Sequence, residues 1–273
     1  MLLTDSHTHS IYSFDGQNTP TEMCAAAEKN GVSAFAVTDH VDIDCILDGL
    51  YPPYDADGAR RAVETAAEAY AGRVEIIRGV ELGQPSLRPS EARAFLDENR
   101  FDFVIGSCHN LAGVPDFYFM RFEGMPDAQM HSLFRRSLAQ LTETASFDGI
   151  HTIAHALYPL RYMARSGRTL DLDLFEKDFR ALFDAMLASG AALELNMKAI
   201  RTGEEPWAWE DHLLKLWYDC GGRRVTCGTD AHKASDIGIM IAEGYTHLRA
   251  AGFDKILIPA AGGPREIPIP QVN

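Results

Sequence analysis

Short apolar segments alternate with longer segments of helical periodicity along this chain, and that alternation limits the possible folds most. The strand-like segments are Leu2–His7, Ser33–Asp39, Val74–Leu82, Phe103–Ser107, Ile150–His155, Ala192–Asn196 and Arg224–Gly228. Strands that alternate with helices form right-handed crossovers and a parallel sheet. About seven such units fit a closed or nearly closed barrel better than an open sheet. With 273 residues, 46% of them hydrophobic, the chain is predicted to form one α/β domain over 1–273.

The segments between and after these strands carry helix signals. They are Thr21–Asn30, Asp57–Ala71, Ser90–Asn99, Ala128–Ser146, Leu172–Ser189, Trp209–Cys220 and Ala234–Ala251. Thr19 is predicted to cap the first helix, with Glu22 at its third position, and Ser90 is predicted to cap the third. Residues 260–273 are rich in Gly and Pro, so we expect a tail that wraps the surface or frays.

Charge and cysteine content limit the partners and the compartment. The net charge is −14, and no basic stripe typical of nucleic-acid binding is visible. The five cysteines are scattered without a C-x-x-C pair, which is typical of reduced thiols in the cytoplasm. The start MLLTDSHTHS lacks the features of a signal peptide, and no apolar run approaches 18 residues. We therefore expect a cytoplasmic protein that binds neither nucleic acid nor membrane; oligomeric state is not predicted.

Histidines and acids concentrate where the predicted strands end. In chain order these residues are His7 and His9, then His40, Glu81, His109, His155, and finally Asp230 and His232. In a βα barrel the carboxyl ends of the strands meet at one face, where active sites are built. The sequence therefore predicts that these side chains meet.

Each signal has a structural alternative when taken singly. His7 and His9 point to the same side of a strand, but such a pair also occurs by chance on surface strands. Glu81 lies in an apolar strand, where a carboxylate is costly unless it is metal-bound or paired with an arginine. His109 and His155 are each more often core or rim residues than ligands. The conjunction at strand ends favours a shared metal site.

Imidazole nitrogens together with carboxylate oxygens suit Zn²⁺, Mn²⁺ or Fe²⁺. The candidates are too many for one ion, so two or three divalent ions are predicted, with Glu81 the natural bridging ligand. Two bridged ions would lie about 3.5–4 Å apart, and a water between them would be hydroxide at neutral pH, ready to attack phosphorus.

These residues resemble the motifs of the PHP (polymerase and histidinol phosphatase) superfamily, in the family's order. The matches are His7-Thr8-His9, Thr38-Asp39-His40, Gly79-Val80-Glu81, His109, Ile153-Ala154-His155 and Thr229-Asp230-Ala231-His232. Within the superfamily the chain is similar to the monofunctional phosphatases of L-histidinol phosphate. Ser13-Phe14-Asp15-Gly16 and Glu194-Leu195-Asn196 carry that closer likeness.

The resemblance implies a distorted (β/α)7 TIM-like barrel with a three-metal site. By it, one ion would be held by His7, His9, Glu81 and Asp230, a second by Glu81, His109 and His155, and a third by Asp15, His40 and His232. Glu81, Asp230 and His232 would also serve catalysis. Asp15 stands where some relatives carry His.

The resemblance also favours two arginines as phosphate ligands, because a guanidinium can hold phosphate oxygens bidentately. These are Arg161 and Arg201; the alternative is a surface ion pair, for example with Glu204 or Glu205. Where relatives often have a hydroxyl-bearing stretch, this chain has Met197-Lys198-Ala199, which adds a cation beside the predicted pocket. Asp42 and Asp44 are interpreted as solvated loop acids.

The predicted function is hydrolysis of a small phosphate monoester, with L-histidinol phosphate the leading substrate. One alternative is another small ester, such as a nucleotide or sugar phosphate. A second is a non-catalytic PHP module, which the complete ligand set disfavours. A third is an amidohydrolase, which usually needs a lysine at a strand end, and only Lys198 comes close.

Overall fold

Seven parallel strands lie side by side in a computed structural model that describes residues 3–204 and 206–271. They are β1 (Leu3–Thr8), β2 (Val32–Val37), β4 (Glu75–Gly83), β5 (Phe103–Ser107), β6 (Thr152–Ile153), β7 (Ala192–Asn196) and β8 (Val225–Gly228). A short strand, β3 (His40–Asp42), pairs with the far end of β4. At the carboxyl end, Thr8 bridges Ala231 and the His9 amide donates to the Ala231 carbonyl at 2.8 Å. The sheet is thus nearly closed into a barrel, as predicted.

Ten α-helices are described around the sheet. They are α1 (Pro20–Lys29), α2 (Ile43–Leu47), α3 (Ala56–Ala69), α4 (Pro89–Asn99), α5 (Asp127–Ala145), α6 (Tyr158–Arg165), α7 (Glu176–Ser189), α8 (Met197–Thr202), α9 (Trp207–Asp219) and α10 (Ile241–Ala250). Short 3-10 helices cover Pro85–Leu87, Phe117–Phe119, Leu172–Phe175 and Ala234–Asp236. Within the described ranges, no helix combines the length and the apolar character needed to cross a membrane.

The strands bury both faces, so their side chains divide between two kinds of packing. Phe35 and Val37 of β2 pack in one cluster with Met23 of α1 and Val63 of α3. The intervening Ala36 belongs instead to a small cluster made only of residues on or next to strands. Because successive strand residues face opposite sides, Ala36 points into the barrel and Phe35 toward the helices.

Helix starts were predicted with mixed success. Thr19 caps α1 in a capping box with Glu22, as expected from the sequence. The prediction for Ser90 is wrong: α4 begins at Pro89, and Arg88 precedes it without a side-chain cap. The segment 234–251 was predicted as one helix, but it is a 3-10 turn followed by α10.

Of the two alternatives for the predicted tail, fraying is not seen in the part that the structure describes. Within 260–273, Arg265–Pro268 forms β10, which pairs antiparallel with β9 (Lys255–Ile258). The Ile269 amide extends this pairing by donating to the Asp254 carbonyl at 2.9 Å. Residues 272–273 lie outside the described residues. The Gly and Pro residues that suggested fraying in fact make and flank the turn of a hairpin.

Candidate metal centre

Six histidines and three acids converge at the carboxyl end of the barrel. His7, His9, Glu81, His109, His155 and Asp230 are at most 5% exposed, and His40 and His232 are half-buried. Asp15 completes the group from the loop after β1 and retains 38% side-chain exposure. The structure therefore brings together all nine residues that the sequence singled out as ligands. That each of them binds a metal stays a prediction.

Glu81 lies at the middle of this cluster. Its Oε2 atom is 3.1 Å from His7 Nε2, 3.5 Å from His9 Nε2 and 3.0 Å from His40 Nδ1. Its Oε1 atom is 3.0 Å from His109 Nε2 and 2.8 Å from His155 Nε2. Each carboxylate oxygen thus faces a different set of imidazoles, which is the arrangement that a bridging carboxylate requires.

Donor atoms of the cluster fall into overlapping groups, each compact enough for one ion. Glu81 joins His7 and His9 in one group and His109 and His155 in another, while His9, Asp15, His40 and His232 form a further group. In each group the donor atoms lie within 4.8 Å of one another. These groups correspond closely to the three ligand sets implied by the family resemblance.

Unsatisfied nitrogens support the same interpretation. Among the described residues, the buried ring nitrogens of His9 (Nε2), His40 (Nδ1) and His232 (Nε2) make no hydrogen bond of acceptable geometry, although carboxylate oxygens lie 2.8–3.5 Å from them. Buried polar atoms are nearly always paired, so each exception calls for an explanation. The donor set and these buried nitrogens, which face carboxylate oxygens without bonding to them, fit divalent Zn²⁺, Mn²⁺ or Fe²⁺.

Electrostatics favour charged acids inside this cage. Burial alone would raise the pKa of Glu81, but His40, His7 and His109 lower it well below its usual range. The pKa of Asp230 is likewise lowered despite burial, chiefly by Lys198 and His7. Burial, together with His232 and His40, lowers the pKa of His9 well below its ordinary value. Anionic carboxylates and a neutral His9 are the protonation states that metal binding needs. Despite burial, nearby carboxylates raise the pKa of His7, His40 and His109, so an ion that binds these imidazoles must displace their protons.

Two acids that orient the imidazoles were missed at the sequence level. Asp42 Oδ1 lies 2.8 Å from His109 Nδ1, and Glu194 Oε1 lies 2.8 Å from His7 Nδ1. Such partners fix the tautomer and orientation of a ligating histidine. The interpretation of Asp42 and Asp44 as solvated acids is wrong, because both are buried. Glu194, a carboxylate in an apolar strand, could have been found by the reasoning used for Glu81.

Backbone geometry at two strand ends is unusual. His155 follows β6 with φ of 25°, and Asp230 follows β8 with φ of 50°. Non-glycine residues in this region cost of order 1–3 kcal/mol each and concentrate at functional sites.

A glycine is required at position 228 for steric reasons, since a Cβ atom there would lie 2.5 Å from the Cβ atom of His7. Close approach of β8 to β1 thus depends on glycine.

Around the ligand cluster, the rest of the cavity lining consists of aromatic rings, three cations and one carboxylate. The cavity has a volume of about 200 Å³. Its lining away from the ligand cluster consists of Phe14, Tyr51, Asp116, Tyr118, Phe119, Tyr158, Arg161, Tyr162, Arg165 and Lys198. We call these ten residues the substrate wall. They come from the loops and short helices that follow the strands, α6 and α8 among them.

The two predicted phosphate-binding arginines are placed differently. Arg161 is 1% exposed, lines the cavity, and has Nη1 at 3.8 Å from Asp230 Oδ2. Arg201 does not line it, and its Nη1 atom lies 2.8 Å from Asp236 Oδ2. Glu204 pairs with Arg165 instead, and Glu205 lies outside the described residues. Phosphate contact by either arginine stays a prediction.

Three further histidines lie apart from the cluster. The ring of His131 packs edge-on against Phe175, with centroids 5.5 Å apart. His151 Nδ1 accepts a hydrogen bond from the Val104 amide at 2.9 Å. His212 lies on α9, with Nε2 at 3.9 Å from Asp173 Oδ1. None of the three belongs to a donor group of the candidate centre.

Fold and site together define a TIM-like barrel with a multinuclear candidate metal centre. Residues 5–198 match the PHP domain family. That match covers well over half of the chain, and the chain therefore belongs to the PHP domain family.

Relatives with similar length support the family assignment. The chain is 27% identical over 265 residues to the histidinol-phosphatase of Lactococcus lactis, covering 94% of each chain. It is 25% identical over 261 residues to a Thermotoga maritima protein named "Probable histidinol-phosphatase", covering 94% of this chain and 95% of that one. Among solved structures, a Lactococcus lactis histidinol phosphate phosphatase complexed with zinc, L-histidinol and phosphate superimposes with a TM-score of 0.77. That match covers 96% of this chain and 98% of the other at 20% identity, and it confirms the predicted fold class.

Proposed function

We propose that this protein is a metal-dependent phosphomonoesterase that hydrolyses L-histidinol phosphate to L-histidinol and phosphate. The observation that carries the proposal is the position of Glu81, whose two oxygens face separate imidazole sets at the base of one cavity. A buried carboxylate shared between two sets of imidazoles suits a multinuclear hydrolytic site. The names of the relatives from Lactococcus lactis and Thermotoga maritima supply the substrate.

The chain's own residues would hold two or three divalent ions, of Zn, Mn or Fe. His7, His9, Glu81 and Asp230 form the first proposed set, Glu81, His109 and His155 the second, and Asp15, His40 and His232 the third. When bound, such ions supply a nucleophile from water at neutral pH and neutralise charge on the phosphoryl oxygens. Asp42 and Glu194 hold His109 and His7 in the tautomer that presents Nε2 to the site.

Arg161 is the proposed phosphate ligand of the substrate wall. It is held over the ring of Tyr158, with its guanidinium carbon 5.4 Å from the ring centroid. Its Nη2 atom lies 3.4 Å from Asn196 Oδ1, so the group is fixed before substrate arrives. A prepositioned guanidinium stabilises charge on a transferring phosphoryl group without reorganisation cost.

The organic part of the substrate would face Asp116 and its tyrosines. Asp116 accepts hydrogen bonds from Tyr51 Oη and Tyr158 Oη, each at 3.1 Å. Phe14 stacks on Tyr51 with ring centroids 4.3 Å apart. A carboxylate among aromatic rings suits a ligand with an ammonium group and a flat ring, because the rings attract cations and stack. L-Histidinol carries both groups, whereas a sugar phosphate carries neither.

Steady-state kinetics on purified, metal-analysed protein test this proposal. The panel contains L-histidinol phosphate, glucose 6-phosphate, a nucleoside monophosphate, p-nitrophenyl phosphate and an amide. We expect kcat/KM for L-histidinol phosphate to exceed that for the other esters by roughly 100-fold or more, because a site built to pair polar substrate groups rejects ligands that lack them. Equal turnover of all esters would overturn the substrate assignment. Cleavage of the amide without phosphate release would overturn the phosphatase itself.

A further inference from the structure

Lys198 is a cation of the substrate wall whose role the proposed ligand sets leave open. It lies in the first turn of α8, directly after β7, where its amide donates to Asn196 Oδ1 at 3.1 Å. Its Nζ atom lies 3.0 Å from Asp230 Oδ1 and 3.2 Å from His232 Nδ1. The side chain is 30% exposed and lines the cavity. Lys198 therefore reaches the candidate centre from the solvent side.

The ion pair with Asp230 engages only part of the hydrogen-bonding capacity of the Lys198 ammonium group. The carboxylate of Asp230 also serves the candidate centre, with Oδ1 at 3.4 Å from His9 Nε2. A lysine ammonium has three hydrogens to donate, and one carboxylate oxygen takes only part of them. The remaining donors are available to an acceptor bound in the cavity that Lys198 lines.

The contact between Lys198 Nζ and His232 Nδ1 cannot be a hydrogen bond when His232 binds an ion. If His232 binds an ion through Nε2, its Nδ1 carries a hydrogen. This hydrogen has a ready acceptor in the Asp230 carbonyl, 3.0 Å from Nδ1. An N–H group cannot accept from the ammonium, so Lys198 gains a second free donor in the metal-loaded protein.

Arg161 lies beside the other oxygen of the Asp230 carboxylate. Its Nη1 atom is 3.8 Å from Asp230 Oδ2, whereas Lys198 Nζ is beside Oδ1. Two cations from different elements, α6 and α8, thus flank the strand end that faces the candidate ions. The chain as a whole is strongly acidic, at −14, and repels phosphate at long range. Local cations at this position would offset that repulsion.

We propose that Lys198 is a substrate-binding residue that donates to a non-bridging oxygen of the phosphoryl group, next to Arg161. This inference rests on the proposed phosphatase function and deepens it. Lys198 would thus bind the phosphoryl group by charge as well as by hydrogen bonding. A charge-assisted contact of this kind is stronger than a neutral one.

Titration of inorganic phosphate into zinc-loaded protein by isothermal calorimetry tests the inference directly. The variants are Lys198→Met, which keeps much of the length without charge, and Lys198→Arg, which keeps the charge. Lys233→Met is the matched control, since Lys233 is exposed, follows His232 and does not line the cavity. Zinc content by plasma mass spectrometry and the melting temperature are measured on every variant.

Lys198→Met is expected to raise the Kd for phosphate by roughly 10- to 100-fold, the loss of one hydrogen bond to a charged group. Lys198→Arg should recover most of the affinity, and Lys233→Met should match wild type. Zinc content should be the same in all four proteins.

Three outcomes would overturn the inference, and they are distinguishable. An unchanged Kd in fully loaded Lys198→Met would overturn phosphate contact and leave the phosphatase proposal intact. Loss of zinc in Lys198→Met would mean that the lysine positions Asp230 rather than substrate. Absence of phosphate binding by loaded wild-type protein would overturn this inference and the proposed function together.

Discussion

The two walls of the cavity are built in different ways. Apart from Asp15, the ligand cluster comes from the ends of the strands and is largely buried, and Asp42 and Glu194 fix two of its imidazoles, His109 and His7. The substrate wall comes from loops and short helices and retains exposed rings such as Tyr118 and Phe119, at 56% and 63%. Strand ends are held by the sheet on both sides, whereas loops vary freely on a constant barrel. The comparison assigns chemistry to the first wall and substrate choice to the second.

Glu81→Gln should have the largest effect, because an amide cannot replace an anion shared by two imidazole sets. We expect kcat/KM for L-histidinol phosphate to fall roughly 10³-fold or more. Zinc content should fall with it. Glu75→Gln, on the exposed end of the same strand, is the control and should match wild type. Near-normal activity of Glu81→Gln would show that the cluster is structural.

Arg161→Met compared with Arg201→Met separates the two arginines that the sequence treated alike. Loss of Arg161 is expected to lower kcat by roughly 10²-fold, as for removal of a donor to a charged transition state. Loss of Arg201, which pairs with Asp236 and does not line the cavity in this structure, should lower kcat by less than loss of Arg161 does. Both constants come from initial rates of phosphate release. A reversed order of effects would contradict the assignment of Arg161 to the substrate wall.

Asp42→Asn tests whether the acids that orient the ligand histidines contribute to metal binding. Removal of such a partner typically weakens metal affinity about 10- to 100-fold, and we expect that loss for zinc in competition with a chelator. Asp48→Asn serves as control because Asp48 is exposed and pairs only with Arg88 in the described structure. An unchanged zinc affinity would show that Asp42 is a buried structural acid with no part in metal binding.

Asp116→Asn should have the smallest effect and the most selective one. We expect KM for L-histidinol phosphate to rise roughly tenfold, the loss of one contact to a charged group. KM for p-nitrophenyl phosphate, which has no ammonium group, should stay unchanged. Asp97→Asn, on the exposed face of α4, controls for charge. An equal rise in KM for both esters would remove Asp116 from ammonium recognition.

The same division explains what could be predicted from sequence. His7, Glu81 and Asp230 were identified because strand periodicity places them, and a sheet brings strand ends together whatever the loops do. Asp42 was missed because β3 has only three residues and no periodicity of its own. Arg201 was grouped with Arg161 because both follow strand ends. In the structure Arg201 pairs with Asp236 and does not line the cavity, and its contact with phosphate stays a prediction.

Anomalous diffraction from zinc-loaded crystals tests the central claim most directly. The account predicts two or three zinc peaks at the carboxyl end of the barrel, with Glu81 within about 2.0–2.2 Å of two of them. His7, His109 and His155 should each coordinate one of those two ions through Nε2. Peaks found only elsewhere, or a Glu81 carboxylate that touches no zinc in fully loaded crystals, would contradict the account.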